Sequence, residues 1–285
     1  FSSLINVNNN LYLDFAVIGV CVSLFGFSVY KGLNKGIKNL SNFNLGLALF
    51  FLLLILISVN FIELAQIGAS GIYYSFVYFW DMSTLGIVEE SEFAKEWTIF
   101  YWAWWVAFGP LVGLFIARIS KGRTLRGIIF GMLCFGTLGT WLFYIILGGY
   151  AMISDMSGEM SVVQNMKIYG HADTAIQVIS SLPLENLMLL IFCIITVVFI
   201  TTSYDSMSYV ISYHVLKKDG QATSPHKNLR LFWAIILGIL PAALVLYSDH
   251  SVALDIILIT SLPLMLVYPL MAISIVSELK SYEET

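Results

Sequence analysis

Seven long apolar segments set the limits on what this chain can fold into. A helix needs about 20 apolar residues to cross the hydrocarbon core of a bilayer. Segments of that length lie near residues 11–30, 44–63, 98–117, 127–150, 186–213, 230–247 and 252–275. Only 11% of the residues are charged, which is too few to cover the surface of a water-soluble protein of 285 residues. The sequence therefore predicts an all-α membrane protein with about seven transmembrane helices.

The composition and the spacing of reactive residues exclude several functions. A net charge of -4 offers no basic surface of the kind that nucleic acid requires. Cys21, Cys134 and Cys193 each stand alone in an apolar run, so no metal or redox pair is indicated. No apolar segment pairs a serine with a lysine or histidine in a catalytic arrangement. We therefore expect no enzyme and no cofactor.

The basic residues alternate from loop to loop and predict the orientation. Of the 14 lysines and arginines, 12 lie in the loops after the first, third, fifth and seventh segments. The other loops hold only Lys95 and Lys167. Because basic loops stay in the cytoplasm, the first residue is predicted to lie outside and the last residue inside. A multi-pass membrane protein is expected.

The outer loop between the second and third segments contains a short aromatic stretch, Ile72–Met82. It is too short to span a bilayer, and tyrosine and tryptophan concentrate at membrane interfaces. The stretch therefore predicts an interfacial helix. A plain aromatic anchor without a specific role is the alternative.

An aromatic stripe in the third segment is the most informative local feature. At 100° per residue, the five rings of the stripe fall within an arc of about 100°. They are Trp97, Tyr101, Trp104, Trp105 and Phe108. Trp105 lies about 15 Å below a helix entry near residue 95, deeper than an interfacial belt needs. Packing against neighbouring helices is one explanation. The other is a box for a quaternary ammonium group, which binds to ring faces through cation–π attraction.

Gly109 and Pro110 follow the stripe and predict a broken helix. Proline lacks the amide hydrogen and clashes with the carbonyl of Val106, and glycine adds backbone freedom. Secondary transporters build substrate sites from such discontinuous helices near the bilayer midplane.

The fifth segment carries a polar cluster, Thr202-Ser-Tyr-Asp-Ser206. The hydroxyls of Thr202 and Ser203, with nearby carbonyls, are hard oxygen ligands that suit Na⁺. Alternatively, both hydroxyls bond back to the preceding helical turn and Asp205 faces a cytoplasmic vestibule. An ionisable residue within a span is a functional candidate.

Three stretches resemble the betaine/choline/carnitine transporter family. The longest is Trp97–Arg126, from Trp-Thr-Ile-Phe-Tyr-Trp-Ala-Trp-Trp to Ser-Lys-Gly-Arg-Thr-Leu-Arg. Thr202–Ser206 is similar to the family's Thr-Ser-x-Asp-Ser element, and Gly32–Asn44 is similar to its loop between the sixth and seventh helices. The resemblance covers nearly the whole chain.

The resemblance implies a leucine-transporter-like fold of two inverted repeats, of which this chain resembles helices six to twelve. Residues 1–70 would end the first repeat, 72–95 would form the outer interfacial helix and loop, and 97–275 would form the second repeat. The N-terminal helices of the first repeat would be missing. The family also implies a homotrimer and a location in the bacterial inner membrane.

The same resemblance assigns roles to single residues. Trp105 matches a tryptophan of the substrate box, Trp102 and Trp104 match flanking aromatics, and Phe100 matches an outer gate. Phe108 stands where the family often has tryptophan. Phe199, Thr202 and Ser203 match half of a sodium site, whose other half belongs to the missing helices.

These matches imply a secondary transporter for betaine, choline or carnitine. The retained hydroxyls imply that it is coupled to sodium. The alternatives are a seven-helix receptor or pump and a fragment that does not transport by itself. No segment has a central lysine for a retinal Schiff base, which disfavours the pump.

Overall fold

The computed structural model describes residues 11–31, 38–88, 95–215, 225–247 and 250–283. Within these ranges all regular structure is helical. The α-helices are α1 (Leu11–Lys31), α2 (Lys38–Ser58), α3 (Phe61–Val77), α4 (Phe79–Val88), α5 (Phe100–Ile119), α6 (Leu125–Phe143), α7 (Gly149–Met156), α8 (Val162–Ser180), α9 (Glu185–Val215), α10 (Lys227–Tyr247) and α11 (His250–Glu283). Two π-helical turns, Lys95–Ile99 and Tyr144–Gly148, lead into α5 and join α6 to α7.

The helices agree with the predicted spans. Six stretches are long and apolar enough to cross a membrane: Leu11–Ser28, Lys38–Ser58, Trp97–Ile119, Leu125–Met156, Glu185–Val215 and Asp255–Glu278. The remaining predicted span, 230–247, coincides with α10. Large apolar side chains such as Phe135 and Leu266 are mostly exposed, as they are when lipid replaces water. The prediction of an all-α membrane protein with about seven helices is confirmed.

Two predicted segments have different boundaries in the structure. The second span was expected to reach residue 63, but α2 ends at Ser58. The Asn60 side chain accepts a hydrogen bond from the Ile62 amide at 3.1 Å and so caps α3. The aromatic stretch Ile72–Met82 also differs, because α3 ends at Val77 and α4 begins at Phe79. The stretch is helical but is divided between two helices.

The chain separates into two compact units, and the first comprises Phe1–Phe76 and Ser120–Ala242. In it, α9 packs against α1, α2 and α8. The main core lies among α2, α8 and α9 and includes Phe51, Ile55, Ile179 and Met188, each no more than 2% exposed. This unit holds the residues of the predicted sodium site.

Several hydroxyls on α9 are buried, and each bonds within its own helix. Thr201 donates to the Val197 carbonyl at 2.7 Å, and Ser212 donates to the Ser208 carbonyl at 2.6 Å. Ser208 itself donates to the Asp205 carbonyl at 2.9 Å. A hydroxyl that is satisfied in this way can be buried against a neighbouring helix without a partner there.

The second unit comprises Val77–Ile119 and Ala243–Thr285, and it contains the aromatic helix α5. Helix α5 packs along α11, and the π-helical turn before it contacts α4. This unit holds the residues of the predicted substrate box. The two sets of predicted site residues therefore belong to different units.

Candidate functional site

Three rings of the aromatic stripe form a cluster with Phe100 at the start of α5. Trp97 stacks on Tyr101 with ring centroids 5.1 Å apart and planes 16° from parallel. Tyr101 contacts Trp104 at 6.0 Å, and Phe100 meets Trp104 edge to face at 5.7 Å. These three pairs place the predicted gate residue Phe100 and the predicted substrate residue Trp104 in direct contact. The helical periodicity in the sequence indicated this face.

The larger part of the stripe is uncovered in this chain. Trp102 and Trp105 are 68% and 63% exposed, whereas Ala103 is only 3% exposed. At 100° per residue, the side of α5 with Ala103 and Val106 lies about 180° from the middle of the predicted aromatic arc. The Tyr268 hydroxyl of α11 lies beside Gly109, about 90° from the middle of the arc. Trp105 is exposed next to this contact, whereas the Phe108 ring is half-buried.

The predicted break at Pro110 is wrong, because α5 runs without interruption from Phe100 to Ile119. Proline removes the amide that would bond to the Val106 carbonyl. The Tyr268 hydroxyl of α11 donates to this carbonyl at 3.1 Å and replaces the lost bond. A tertiary contact thus satisfies the backbone, and the helix continues.

Three oxygens gather on α9 at the predicted sodium half-site. Thr202 and Ser203 donate to the same carbonyl, that of Phe199, at 2.9 Å and 3.1 Å. This is the back-bonded arrangement that the sequence left open as an alternative. The same three oxygens lie close enough together to form one side of a site for a hard cation. In the described part of the chain, no group of three or more His, Cys, Asp or Glu side chains could hold a metal ion.

The buried polar centre of the first unit is Asp205. Its carboxylate accepts a hydrogen bond from Ser28 of α1 at 2.5 Å, and its other oxygen lies 3.6 Å from an Arg230 guanidinium nitrogen of α10. The Arg230 guanidinium also lies over the ring of Tyr209, 5.2 Å from its centroid. Asp205 is 0% exposed and Arg230 is 5% exposed. The interpretation that Asp205 faces a cytoplasmic vestibule is therefore wrong.

Sequence reasoning found Asp205 but missed the residues that surround it. Arg230 is one of the 12 basic residues that are predicted from the sequence to lie in loops, whereas it lies in the first turn of α10 and is buried. Ser28 is separated from Asp205 by 177 positions, and its sequence context gives no sign of this partner. The only available signal was that a buried charge needs an opposite one.

An all-helical membrane protein with an uncovered aromatic helix face and a gathered set of hydroxyl and carbonyl oxygens fits the class of secondary transporters. The family comparison agrees, because the model of the betaine/carnitine/choline family transporters matches residues 1–284. The chain belongs to the betaine/carnitine/choline transporter family, and the resemblance seen in the sequence is confirmed.

Curated relatives support the same assignment and differ in their named substrates. The carnitine transporter of Acinetobacter baumannii is 33% identical over 83% of this chain and 43% of its own length. The glycine betaine transporter OpuD of Bacillus subtilis is 32% identical over 97% of this chain and 53% of its own length. The ectoine/hydroxyectoine transporter of Virgibacillus pantothenticus is 27% identical over 99% and 56%. The chain spans about half the length of the curated relatives that it matches.

Proposed function

We propose that this chain takes part in the secondary transport of a small quaternary ammonium solute and that α5 contributes the aromatic side of the binding site. The exposed rings of Trp102, Trp104 and Trp105 on α5 support this proposal most directly. A trimethylammonium group cannot donate hydrogen bonds, so electron-rich ring faces are the natural partners for its charge. Trp102, Trp104, Trp105 and Phe108 are the residues proposed to bind it, with Phe100 as the outer gate.

The relatives narrow the substrate class without selecting one compound. Two of them are named for carnitine and glycine betaine, which both carry a trimethylammonium group. A third is named for ectoine, whose positive charge is delocalised over a planar N–C–N amidinium group. A flat aromatic surface can bind either kind of cation. The exposed face of α5 is compatible with both, and we propose a trimethylammonium compound as the substrate.

The binding site needs more than α5. A cation in an aromatic box is surrounded by rings on several sides, and α5 contributes one side. The oxygens of Phe199, Thr202 and Ser203 likewise form one side of a cation site. We infer that the helices of the first repeat complete both sites, that the isolated chain does not transport, and that the assembled protein is a homotrimer.

The proposed function is tested by uptake into liposomes. The full-length protein in this test is the present chain together with the helices of the first repeat. We expect an inward Na⁺ gradient to drive accumulation of at least one of glycine betaine, carnitine and choline. Replacing the gradient with K⁺ on both sides should abolish accumulation, and proteoliposomes of the 285-residue chain should show none. Uptake that is unchanged without Na⁺ would contradict the sodium coupling, and failure with all three solutes would contradict the substrate class.

The sodium site can be tested separately through Thr202 and Ser203. Replacing both with alanine removes two oxygen ligands and should raise the Na⁺ concentration for half-maximal uptake about tenfold, the equivalent of about 1.4 kcal/mol. Thr196→Ala is the matched control, because the Thr196 hydroxyl bonds back to the Phe192 carbonyl on the same helix at 2.9 Å. An equal Na⁺ requirement in the double variant and the control would make Thr202 and Ser203 structural only.

The orientation of the chain can be tested with a matched pair of exposed lysines. Lys121 lies in the turn between α5 and α6, and Lys167 lies in α8. In a variant without native cysteines, Lys121→Cys should resist an impermeant thiol reagent added to intact cells, and Lys167→Cys should react. The reverse labelling would place the amino terminus in the cytoplasm and the carboxyl terminus outside.

A further inference from the structure

The contact between α5 and α11 meets a specific need of the α5 backbone. Pro110 has no amide hydrogen, so the Val106 carbonyl one turn earlier has no partner within the helix. A carbonyl at membrane depth has no water to bond to and is costly when it is left unpaired. The Tyr268 hydroxyl donates to that carbonyl at 3.1 Å, across 162 positions of sequence. The hydroxyl therefore replaces the hydrogen bond that proline removes.

Gly109 provides the space that this hydrogen bond needs. A Cβ atom added to Gly109 would overlap the Tyr268 hydroxyl oxygen. The ring carbon that carries this hydroxyl, Cζ, would lie 3.2 Å from the added atom. Gly113 lies one turn further along α5, and a Cβ atom there would meet nothing within 4 Å. The small residue at 109 is thus matched to Tyr268, whereas the glycine at 113 is not.

The bonded carbonyl is next to the proposed substrate residues in the sequence. Val106 directly follows Trp105, and Phe108 lies two residues further on, before the Gly109-Pro110 pair. The backbone direction at Val106 sets the direction of these rings, because a helix position fixes where its Cβ points. Proline is a common site of helix kinks, and we expect the helix to bend there when the Tyr268 donor is removed.

We propose that Tyr268 is a positioning residue for substrate binding. Its hydroxyl holds the backbone at Val106 in its helical conformation and thereby keeps the Trp105 and Phe108 rings in the orientation that accepts the cation. Tyr268 itself does not contact the substrate. This inference rests on the proposed function, because the Tyr268 contact can position the substrate only if the α5 rings bind it.

A double-mutant cycle in the full-length protein tests the proposal. In the wild-type background, Tyr268→Phe keeps the ring but removes the donor and should weaken glycine betaine binding about fivefold. In a Pro110→Ala background, the alanine amide donates to the Val106 carbonyl itself. Adding Tyr268→Phe there should change binding less than twofold. A role of Tyr268 in general packing predicts the same loss in both backgrounds.

Glycine variants provide a second, independent measurement. Gly109→Ala displaces the Tyr268 hydroxyl and should weaken binding by about as much as Tyr268→Phe, with no further loss when the two are combined. Gly113→Ala is the matched control and should bind as the wild type does. If Gly109→Ala and Gly113→Ala behave alike, or if Tyr268→Phe weakens binding equally with Pro110 and with Ala at that position, the positioning role is wrong.

Hydrogen exchange separates this proposal from the proposed function. Amides of residues 106–113 should exchange faster in Tyr268→Phe than in the wild type, and Pro110→Ala should restore protection. These results do not depend on any solute. Faster exchange in a protein that binds no quaternary ammonium compound would contradict the proposed function and, with it, the positioning role. Unchanged exchange in a protein that binds glycine betaine would contradict the positioning role alone.

Discussion

Replacing Asp205 with asparagine should destabilise the protein by about 3–5 kcal/mol, because the change leaves the Arg230 charge buried without its partner. Arg230 is only 5% exposed and lies 3.6 Å from the carboxylate, so water cannot take over the lost interaction. The measurement is reversible unfolding of the purified protein in detergent.

Two further variants decide whether charge pairing is the cause. Ser28→Ala removes only the 2.5 Å hydrogen bond to Asp205 and should cost about 1–3 kcal/mol. Asp205→Asn combined with Arg230→Met removes both charges and should recover at least half of the loss. A loss below about 1 kcal/mol for Asp205→Asn alone would show that Arg230 is solvated or neutralised by another group.

Replacing Trp105 with leucine should weaken binding of glycine betaine to the full-length protein about 30-fold. Leucine keeps the side chain apolar but removes the ring face, whose attraction for a desolvated cation is about 2 kcal/mol. Phenylalanine or tyrosine at this position should cost less, because a ring remains. Binding constants for the three variants, with a thermal unfolding control, test this order.

Trp141→Leu on α6 is the matched control for Trp105. Trp141 is 37% exposed and lies on another apolar helix, so its loss should leave binding unchanged. If Trp105→Leu binds as tightly as the wild type in a folded protein, Trp105 serves at the lipid surface and the cation–π site is wrong. Equal losses in the two tryptophan variants would also contradict it.

The sequence correctly predicted the features that depend on the geometry of a single helix. The apolar runs fixed the spans because a helix of about 20 apolar residues is stable in a bilayer by itself. The ring cluster of Trp97, Tyr101 and Trp104 could be predicted because helical periodicity depends on local geometry alone. The resemblance to the family then suggested a chemical role for Trp104, which periodicity alone could not.

The sequence failed where a distant residue decides the outcome. Pro110 predicted a break on sound local grounds, but Tyr268 provides the missing donor from 162 positions away. One of the two interpretations of Asp205 placed it at a vestibule, but Ser28 and Arg230 enclose it from two other helices. In both places a backbone or side-chain polar group was visible in the sequence, and its partner was not.

The self-bonded hydroxyls of α9 affect how this helix can move. The hydroxyls of Thr201, Ser208 and Ser212 need no hydrogen-bond partner on the adjoining helices, because each donates to a carbonyl of α9. Sliding or rolling of α9 along such a surface exchanges dispersion contacts for similar ones and breaks none of these hydrogen bonds. Asp205 differs, because its bond to Ser28 ties α9 to α1 at one point. A rotation of α9 that turns about Asp205 keeps this bond, whereas a translation along α1 breaks it.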